Sequence, residues 1–572
     1  MRKSEVFVPR RTAGLSASDL VVLAGLTVLL YGGLRLALAA PTQVQGPEIS
    51  LSIAALPRYA VYSVARMTAA YVLSLLFSLI YAYAAARNHL VEQVLMPLLD
   101  ILQSIPILSF LPVVLLSLSA LLPEALAVEL AAVALIFTSQ AWNMTFSLYQ
   151  SFTTVPNELK EAAATFRLGR WLRLRHLEMP FATIGLIWNS MMSWSGGWFF
   201  LMAAETFVVG RRDFRLPGLG SYLYKAADLG DTRAILWGLG ALVLVIVLLD
   251  QLVWRPALAW ADRFKLESVE ADEPPTSWFY DLLASSVIIA WLRAHIIIPF
   301  VDIADRALGS PSGQRWPKSR QRSRIVPTAQ VALLIALGAL LLYGCFRAAQ
   351  MLATLSLASL GHIALAVLAT SVRVTAALLI TLIWTLPVGV AIGTNRRLAT
   401  VLQPLVQTVA AIPATALFPI ILLFMVGLPG GLNIAAVVLM LMGTQWYLLF
   451  NIIAGAAAIP EDLRYTTRIL KLGRAARWRT LILPAIFPYL VTGLITAGGG
   501  AWNASIVAEY VTFGGQRHQV LGIGAVIAEA TGAGDYALLL AGTLALALTV
   551  VLLNRLLWRR LYVQAAERYR LE

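Results

Sequence analysis

The chain has 572 residues, 59% of them hydrophobic and 13% charged, with a net charge of +14. Soluble domains carry about 25% charged residues, so an ordinary soluble core is excluded. The apolar runs do not alternate as the strands of a membrane barrel do. About 20 apolar residues span a bilayer, so the chain reads as an all-α polytopic membrane protein. Its basic residues cluster between apolar runs, which fits positive-inside topology and not nucleic-acid binding. The single cysteine, Cys345, excludes an intrachain disulfide.

In chain order, the basic stretch "MRKSEVFVPRRTAG" comes first, and the apolar run after it ends "LALAAPTQ", faintly like a cleavage site. A similar helix recurs inside the chain at 328–350, so the first helix is expected to stay as an anchor. A first unit, 1–267, holds spans expected near 19–40, 58–86, 95–120, 125–150, 181–208 and 233–254. A linker, 268–327, opens on "ESVEADEPPTS" and closes on "QRWPKSRQRSR". Between these, Arg293 and His295 interrupt an apolar stretch, which predicts an amphipathic helix on the inner membrane surface. A helical hairpin dipping into the membrane is the alternative. The second unit, 328–572, holds spans expected near 328–350, 362–394, 400–427, 432–457, 485–512 and 536–556.

The two units are copies. At an offset of 307, Arg66 pairs with Arg373, Asn88 with Asn395, and Pro97, Pro106 and Pro112 with Pro404, Pro413 and Pro419. After a three-residue gap the offset is 304, pairing Trp142 with Trp446, Gly169 with Gly473, Pro180 with Pro484, Glu205 with Glu509 and Asp231 with Asp535. Six spans return each unit to its starting side, so the repeats are parallel. The segments 156–180 and 460–484 carry five and six Lys/Arg, which predicts that they, the linker and both termini are cytoplasmic.

Those two segments are the most informative part of the chain. Each has a Pro-to-Pro spacing of 24: "PNELKEAAATFRLGRWLRLRHLEMP" and "PEDLRYTTRILKLGRAARWRTLILP". Pro at the start, Gly as a break and a basic second half predict two short helices at an angle. The first segment resembles the EAA loop of bacterial ABC importer permeases. That resemblance implies docking to an ATPase subunit through Glu161, Ala162, Ala163, Gly169, Arg170 and Pro180. In the second copy the same roles fall to Tyr465, Thr466, Thr467, Gly473, Arg474 and Pro484. Arg170-Trp171, "AAE" at 203–205 and "GLG" at 218–220 resemble the nitrate/sulfonate/taurine/bicarbonate branch. The pattern departs at two places. Arg167 and Lys471 stand where the family has Gly, and the second copy lacks Glu-Ala-Ala. Two unlike loops imply unequal docking to two ATPase subunits.

Polar residues inside apolar spans are costly and mark functional candidates. Substrate-path candidates are Gln103, Gln140, Trp142, Asn143 and Glu205 in the first unit, and Gln407, Gln445, Trp446, Asn503 and Glu509 in the second. Arg66 and Arg373 fall at similar depth to the two glutamates, so structural ion pairs Arg66–Glu205 and Arg373–Glu509 are the favoured alternative for those. Glycines in "SWSGGWFF" and "TAGGGAWN" permit either irregular backbone along a path or close helix packing. The basic loop 208–232 is expected to be solvated.

There is no Walker-type loop, no Cys/His metal cluster and no nucleophilic triad. The resemblance therefore implies a fused pair of type I importer-like permease units, with ATP and Mg held by separate ATPase subunits. It also implies a periplasmic binding protein and a small anion such as nitrate, a sulfonate or bicarbonate. A secondary carrier built from two parallel six-span repeats is the rival, and a membrane scaffold is a weaker one.

Overall fold

A computed structural model describes residues 17–38, 45–209, 212–264, 277–286, 291, 294–295, 298–308, 328–425, 427–513, 516–561 and 564. The first unit comprises α1 (Ala17–Ala37), α2 (Leu56–Arg87), α3 (His89–Ser104), α4 (Leu111–Leu121), α5 (Glu124–Thr154), α6 (Asn157–Thr165), α7 (Arg170–Arg173) and α8 (Met179–Glu205). A small hairpin, β1 (Val208–Val209) with β2 (Arg212–Asp213), leads to α9 (Leu219–Asp228), α10 (Thr232–Leu249) and α11 (Arg255–Asp262). The linker contributes α12 (Trp278–Ser285) and α13 (Ile298–Leu308). Arg293 lies outside the described residues, and His295 is exposed and stacks on Trp291.

The second unit repeats the order: α14 (Thr328–Leu352), α15 (Leu357–Thr394), α16 (Arg396–Ala410), α17 (Ala414–Met425), α18 (Gly431–Ala457), α19 (Glu461–Ile469), α20 (Arg474–Arg477) and α21 (Leu483–Ala508). A hairpin of β3 (Tyr510–Phe513) and β4 (Gln516–Gln519), then α22 (Ile523–Ala533) and α23 (Tyr536–Leu553), complete it. Among the described residues, eight helices are long and apolar enough to cross a membrane. The third expected span of each unit is two helices, α3 with α4 and α16 with α17. Pro106 and Pro413 stand in the breaks, where a proline removes a helical donor.

Residues shared by the repeats mark shared local physics. Asp231 and Asp535 are N-caps, accepting from Ala234 N and Leu538 N at 3.0 Å each. π-Helical turns recur at Leu174–Glu178 and Trp478–Ile482, and again at Asp250–Trp254 and Asn554–Trp558. The paired glycines of the fifth spans sit in unbroken helices. A Cβ on Gly197 would lie 2.7 Å from Gln140 Nε2 and one on Gly500 3.2 Å from Thr444, whereas one on Gly499 would meet nothing within 4 Å. Gly197 therefore serves close packing of α8 on α5, and Gly500 that of α21 on α18, within regular helix.

The two expected ion pairs form. Glu205, wholly buried, accepts from Arg66 Nη1 at 2.9 Å, Ser63 Oγ at 2.7 Å and Gly220 N at 2.7 Å. Glu509, also wholly buried, accepts from Arg373 Nη1 at 2.8 Å, Thr370 Oγ1 at 2.7 Å and Gly524 N at 2.8 Å. Each carboxylate thus meets the N-terminus of α9 or α22, where free N–H groups and the helix dipole favour negative charge. A Cβ on Gly218 or Gly522 would lie 2.2 Å from the carboxylate, so the "GLG" stretch is small because Glu205 fills the space. The copies differ at one partner. Arg66 also bonds Glu129, twice at 2.7 Å, whereas Arg373 bonds the Asn433 amide oxygen.

The loop beyond β1 is packed and not solvated as expected. Phe214 and Leu216 are buried, Asp213 pairs with Arg215, and Lys225 Nζ donates to Ile49 O at 2.6 Å. Arg215 and Lys225 are used internally, a signal that sequence charge alone does not carry.

Breaking a buried ion pair by removing one member costs about 3–5 kcal/mol, while replacing both with apolar groups is far milder. Glu509→Leu is therefore expected to lower thermal stability in detergent sharply. Arg373→Met combined with Glu509→Leu should recover most of that loss. Equal melting of the single and double variants would remove the pair from any structural role.

Candidate functional site

Each basic segment folds as two short helices joined by a tight turn: α6 and α7 in the first copy, α19 and α20 in the second. The turns are Schellman motifs. Arg167 N donates to Ala164 O and Leu168 N to Ala163 O, while Lys471 N donates to Arg468 O and Leu472 N to Thr467 O. The left-handed residue that such a motif demands is Arg167, at φ 50°, and Lys471, at φ 47°. These are the two positions where the resemblance to importer permeases implies Gly. The chain keeps the backbone that Gly serves and places it under a basic side chain. Gly169 and Gly473, expected to form the break, instead precede α7 and α20 in ordinary extended conformation.

The remaining residues assigned to the segments fall into a shared pattern. Ala163 and Thr467 are buried against the body, while Glu161, Ala162, Tyr465 and Thr466 are exposed. Arg170 and Arg474 are exposed, and Pro180 and Pro484 lie half-buried where α8 and α21 begin. Phe166 and Leu470, equivalent by the offset of 304, are 77% and 63% exposed. Both hairpin tips thus carry an exposed apolar side chain at the same repeat position.

The anchoring differs between copies. Glu178, nearly buried, is held by Arg87 Nη2 and by Arg173 Nε at 2.9 Å. In the second copy Ile482 replaces Glu178, and Arg464 Nη2 donates to Ala456 O at 2.6 Å. The linker also engages the first copy. Trp171 Nε1 donates to Asp305 Oδ1 at 2.8 Å, and Arg175 pairs with the same carboxylate. The equivalents in the second copy are Ala475 and Arg479. Sequence reading missed Asp305 because the linker has no repeat partner to flag it.

A cavity of about 530 Å³ lies between the units, walled by α8 and the end of α10 on one side and by α16, α18 and α21 on the other. Of the path candidates, Gln407, Trp446 and Asn503 line it, joined by Trp188, Trp194 and Asn451. Asp250 is the charged side chain among its described lining, and it pairs with Arg255 at 2.9 Å. Asn503 has a second task. Its Oδ1 accepts from Ile107 N at 2.6 Å, capping the break in the third span of the other unit.

The other candidates lie elsewhere. Gln103 and Asn143 are exposed away from the cavity lining, and Gln445 is buried. Trp142 packs edge-on to Phe77. Gln140 is wholly buried behind α8, with neither amide atom partnered in the described structure. Glu205 and Glu509 are enclosed in their ion-pair networks. Periodicity could not separate these positions, because it does not say which neighbour a helix face meets.

Two membrane-spanning units around one cavity, each with a basic helical hairpin at the same end, define a transport permease. The chain belongs to the family of binding-protein-dependent transport system inner membrane components. The family model matches residues 60–253 and 385–560, more than half of the chain. The two matches make it a fused two-unit ABC permease. Among similar proteins, the bicarbonate transport system permease protein CmpB of Synechococcus elongatus is 35% identical over 144 residues, 25% of this chain and 48% of that protein. The nitrate import permease protein NrtB of Leptolyngbya laminosa is 31% identical over 185 residues, 32% of this chain and 62% of that protein. The chain thus spans about half the length of the relatives it matches, and they belong to the nitrate and bicarbonate branch.

Gly at position 167 or 471 would relieve the left-handed cost of a residue with a Cβ, about 1–2 kcal/mol, against the entropy that Gly loses on folding. Arg167→Gly and Lys471→Gly are each expected to raise stability slightly, by about 0.5–1 kcal/mol. Arg167→Val, β-branched at positive φ, should lower it. Thermal unfolding of the three variants in one detergent checks the order.

Proposed function

We propose that the chain is the transmembrane subunit of an ATP-driven importer and carries a small anion through the cavity between its units. Nitrate and bicarbonate, the solutes named for its relatives, are the first candidates. Two ATPase subunits, each binding ATP and Mg, dock on the basic hairpins, and a periplasmic binding protein delivers the solute. Both termini and the linker then lie in the cytoplasm. The observation that carries the reading is the duplicated hairpin with its exposed Phe166 and Leu470. A secondary carrier has no use for paired docking helices.

In this mechanism the ATPase subunits close on ATP, draw the hairpins together and rotate the helices that begin at Pro180 and Pro484. The cavity changes its exposure as a result. With no cationic side chain in its described lining, a small anion is held by neutral N–H donors, among them the amides of Gln407 and Asn451. Such a hold is weak, and a transported solute must also leave.

The tagged chain, purified in mild detergent from its native membrane, is expected to bring a stoichiometric ATPase. Combining Phe166→Asp with Leu470→Asp should abolish that association without loss of folding. A chain that purifies alone and transports under an ion gradient would refute the importer reading.

The two docking sites are also expected to be unequal, because Asp305 clamps α7 and nothing in the described structure clamps α20 in the same way. Asp305→Ala should weaken coupling through the first hairpin, so that adding Glu161→Ala costs little more. Adding Tyr465→Ala should still cause a full further loss. Transport-coupled ATP hydrolysis in vesicles reads the difference, and equal further losses would argue for equivalent sites.

A further inference from the structure

A second cavity, of about 300 Å³, lies at the end of the bundle opposite the basic hairpins. Its walls come from both units: Tyr31 and Arg35 of α1, Arg347 and Gln350 of α14, and Tyr536 at the start of α23. Leu34, Leu38 and Met351 close it on the apolar side. Among the described residues no carboxylate lines it and neither arginine makes an ion pair.

The two arginines are brought together by tight helix packing. A Cβ on Gly344 would lie 2.6 Å from Val28, so α14 approaches α1 at a point where only Gly fits. Arg35 and Arg347 lie beyond that crossing, toward the helix ends. Tyr536 Oη reaches Ala37 O at 3.4 Å and ties α23 to the same corner. Arg347 spends one donor on Gln350 Oε1, at 3.0 Å, and the rest of its fork has no partner among the described residues.

Each arginine alone has a simpler explanation. A cation in the last turn suits the negative end of a helix, and long basic side chains reach from membrane helices to the interface. Those explanations fit Arg35. They do not account for a second arginine, from the other unit, on the same cavity with no acid present. Two guanidinium groups facing one space repel each other, and a bound anion reverses that sign. Guanidinium forks match the oxygens of carboxylate and phosphate groups, and the Tyr31 hydroxyl adds a neutral donor at the rim. Under the orientation proposed above, this is the outer face, where basic residues are disfavoured and so need a local reason.

We propose that Arg35 and Arg347 form an oxyanion site that joins the two units at the outer membrane face. The same chemistry serves a phospholipid headgroup and a free oxyanion of the solute pool, and the test separates them. The full chain is placed in neutral phosphatidylcholine vesicles, and its thermal unfolding is followed on adding nitrate, bicarbonate or inorganic phosphate. A parallel series replaces part of the lipid with phosphatidylglycerol. The variants are Arg35→Gln with Arg347→Gln, the charge-retaining Arg35→Lys with Arg347→Lys, and Arg233→Gln, an exposed arginine at the start of α10, as the control.

A saturable rise in the unfolding midpoint with phosphatidylglycerol, absent in the double Gln variant and kept in Arg233→Gln, identifies a lipid phosphate. The same rise with nitrate, bicarbonate or phosphate in neutral vesicles identifies a free oxyanion. In either case the double Lys variant, which keeps the charge and loses the fork, should show a weaker response. Wild type and double Gln variant responding alike to every anion, at equal folding, would overturn the site. If the double Gln variant does not fold, an undiminished response in the double Lys variant overturns the forked geometry by itself.

Discussion

Each unit is organised around a carboxylate that has no water to turn to. Glu205 and Glu509 sit at the ends of α8 and α21, and burial there is affordable only because a guanidinium, a hydroxyl and a helix N-terminus converge on each. An unpaired charge at such a place costs several kcal/mol even after relaxation. The requirement fixes the rest of the corner. It brings α2 or α15 against the fifth span, aims α9 or α22 at the carboxylate, and forbids a side chain at Gly218 and Gly522. The same group that made these glutamates look like pathway residues makes them unavailable to a solute.

The two copies share this frame and diverge in what is attached to it. Arg66 holds two carboxylates and Arg373 one, with an amide in the second place. The first hairpin is braced by Glu178 and by Asp305 of the linker, the second by a backbone carbonyl and an apolar contact. Even so, both hairpins keep the same left-handed turn, one on Arg and one on Lys. The backbone geometry is the same in the two copies while the side chains on it differ.

The cavity between the units follows from how the spans are interrupted. Prolines in the third span of each unit stop a straight helix, and the freed backbone must find partners. One partner comes from across the interface, where Asn503 caps Ile107. The glycines of the fifth spans then allow α8 and α21 to press on α5 and α18. Aromatic and amide side chains of α8, α16, α18 and α21 are left facing the gap.

The sequence by itself determined the membrane class, the duplication and the two basic hairpins, and it offered the pairing of Arg66 with Glu205 and Arg373 with Glu509 as one of two readings of those residues. These rest on local composition, on spacing and on the cost of burying charge, all of which act along the chain or at a fixed offset. Tertiary structure decided which polar residues face the shared cavity. Gln407, Trp446 and Asn503 do, while Gln140 lies behind α8 and Gln103 and Asn143 point elsewhere. It also decided that Arg167 and Lys471, not Gly169 and Gly473, take the left-handed turn, and that Asp305 reaches Trp171 across 134 residues. Helical periodicity gives a face, but only the packing of one helix on another gives that face a neighbour.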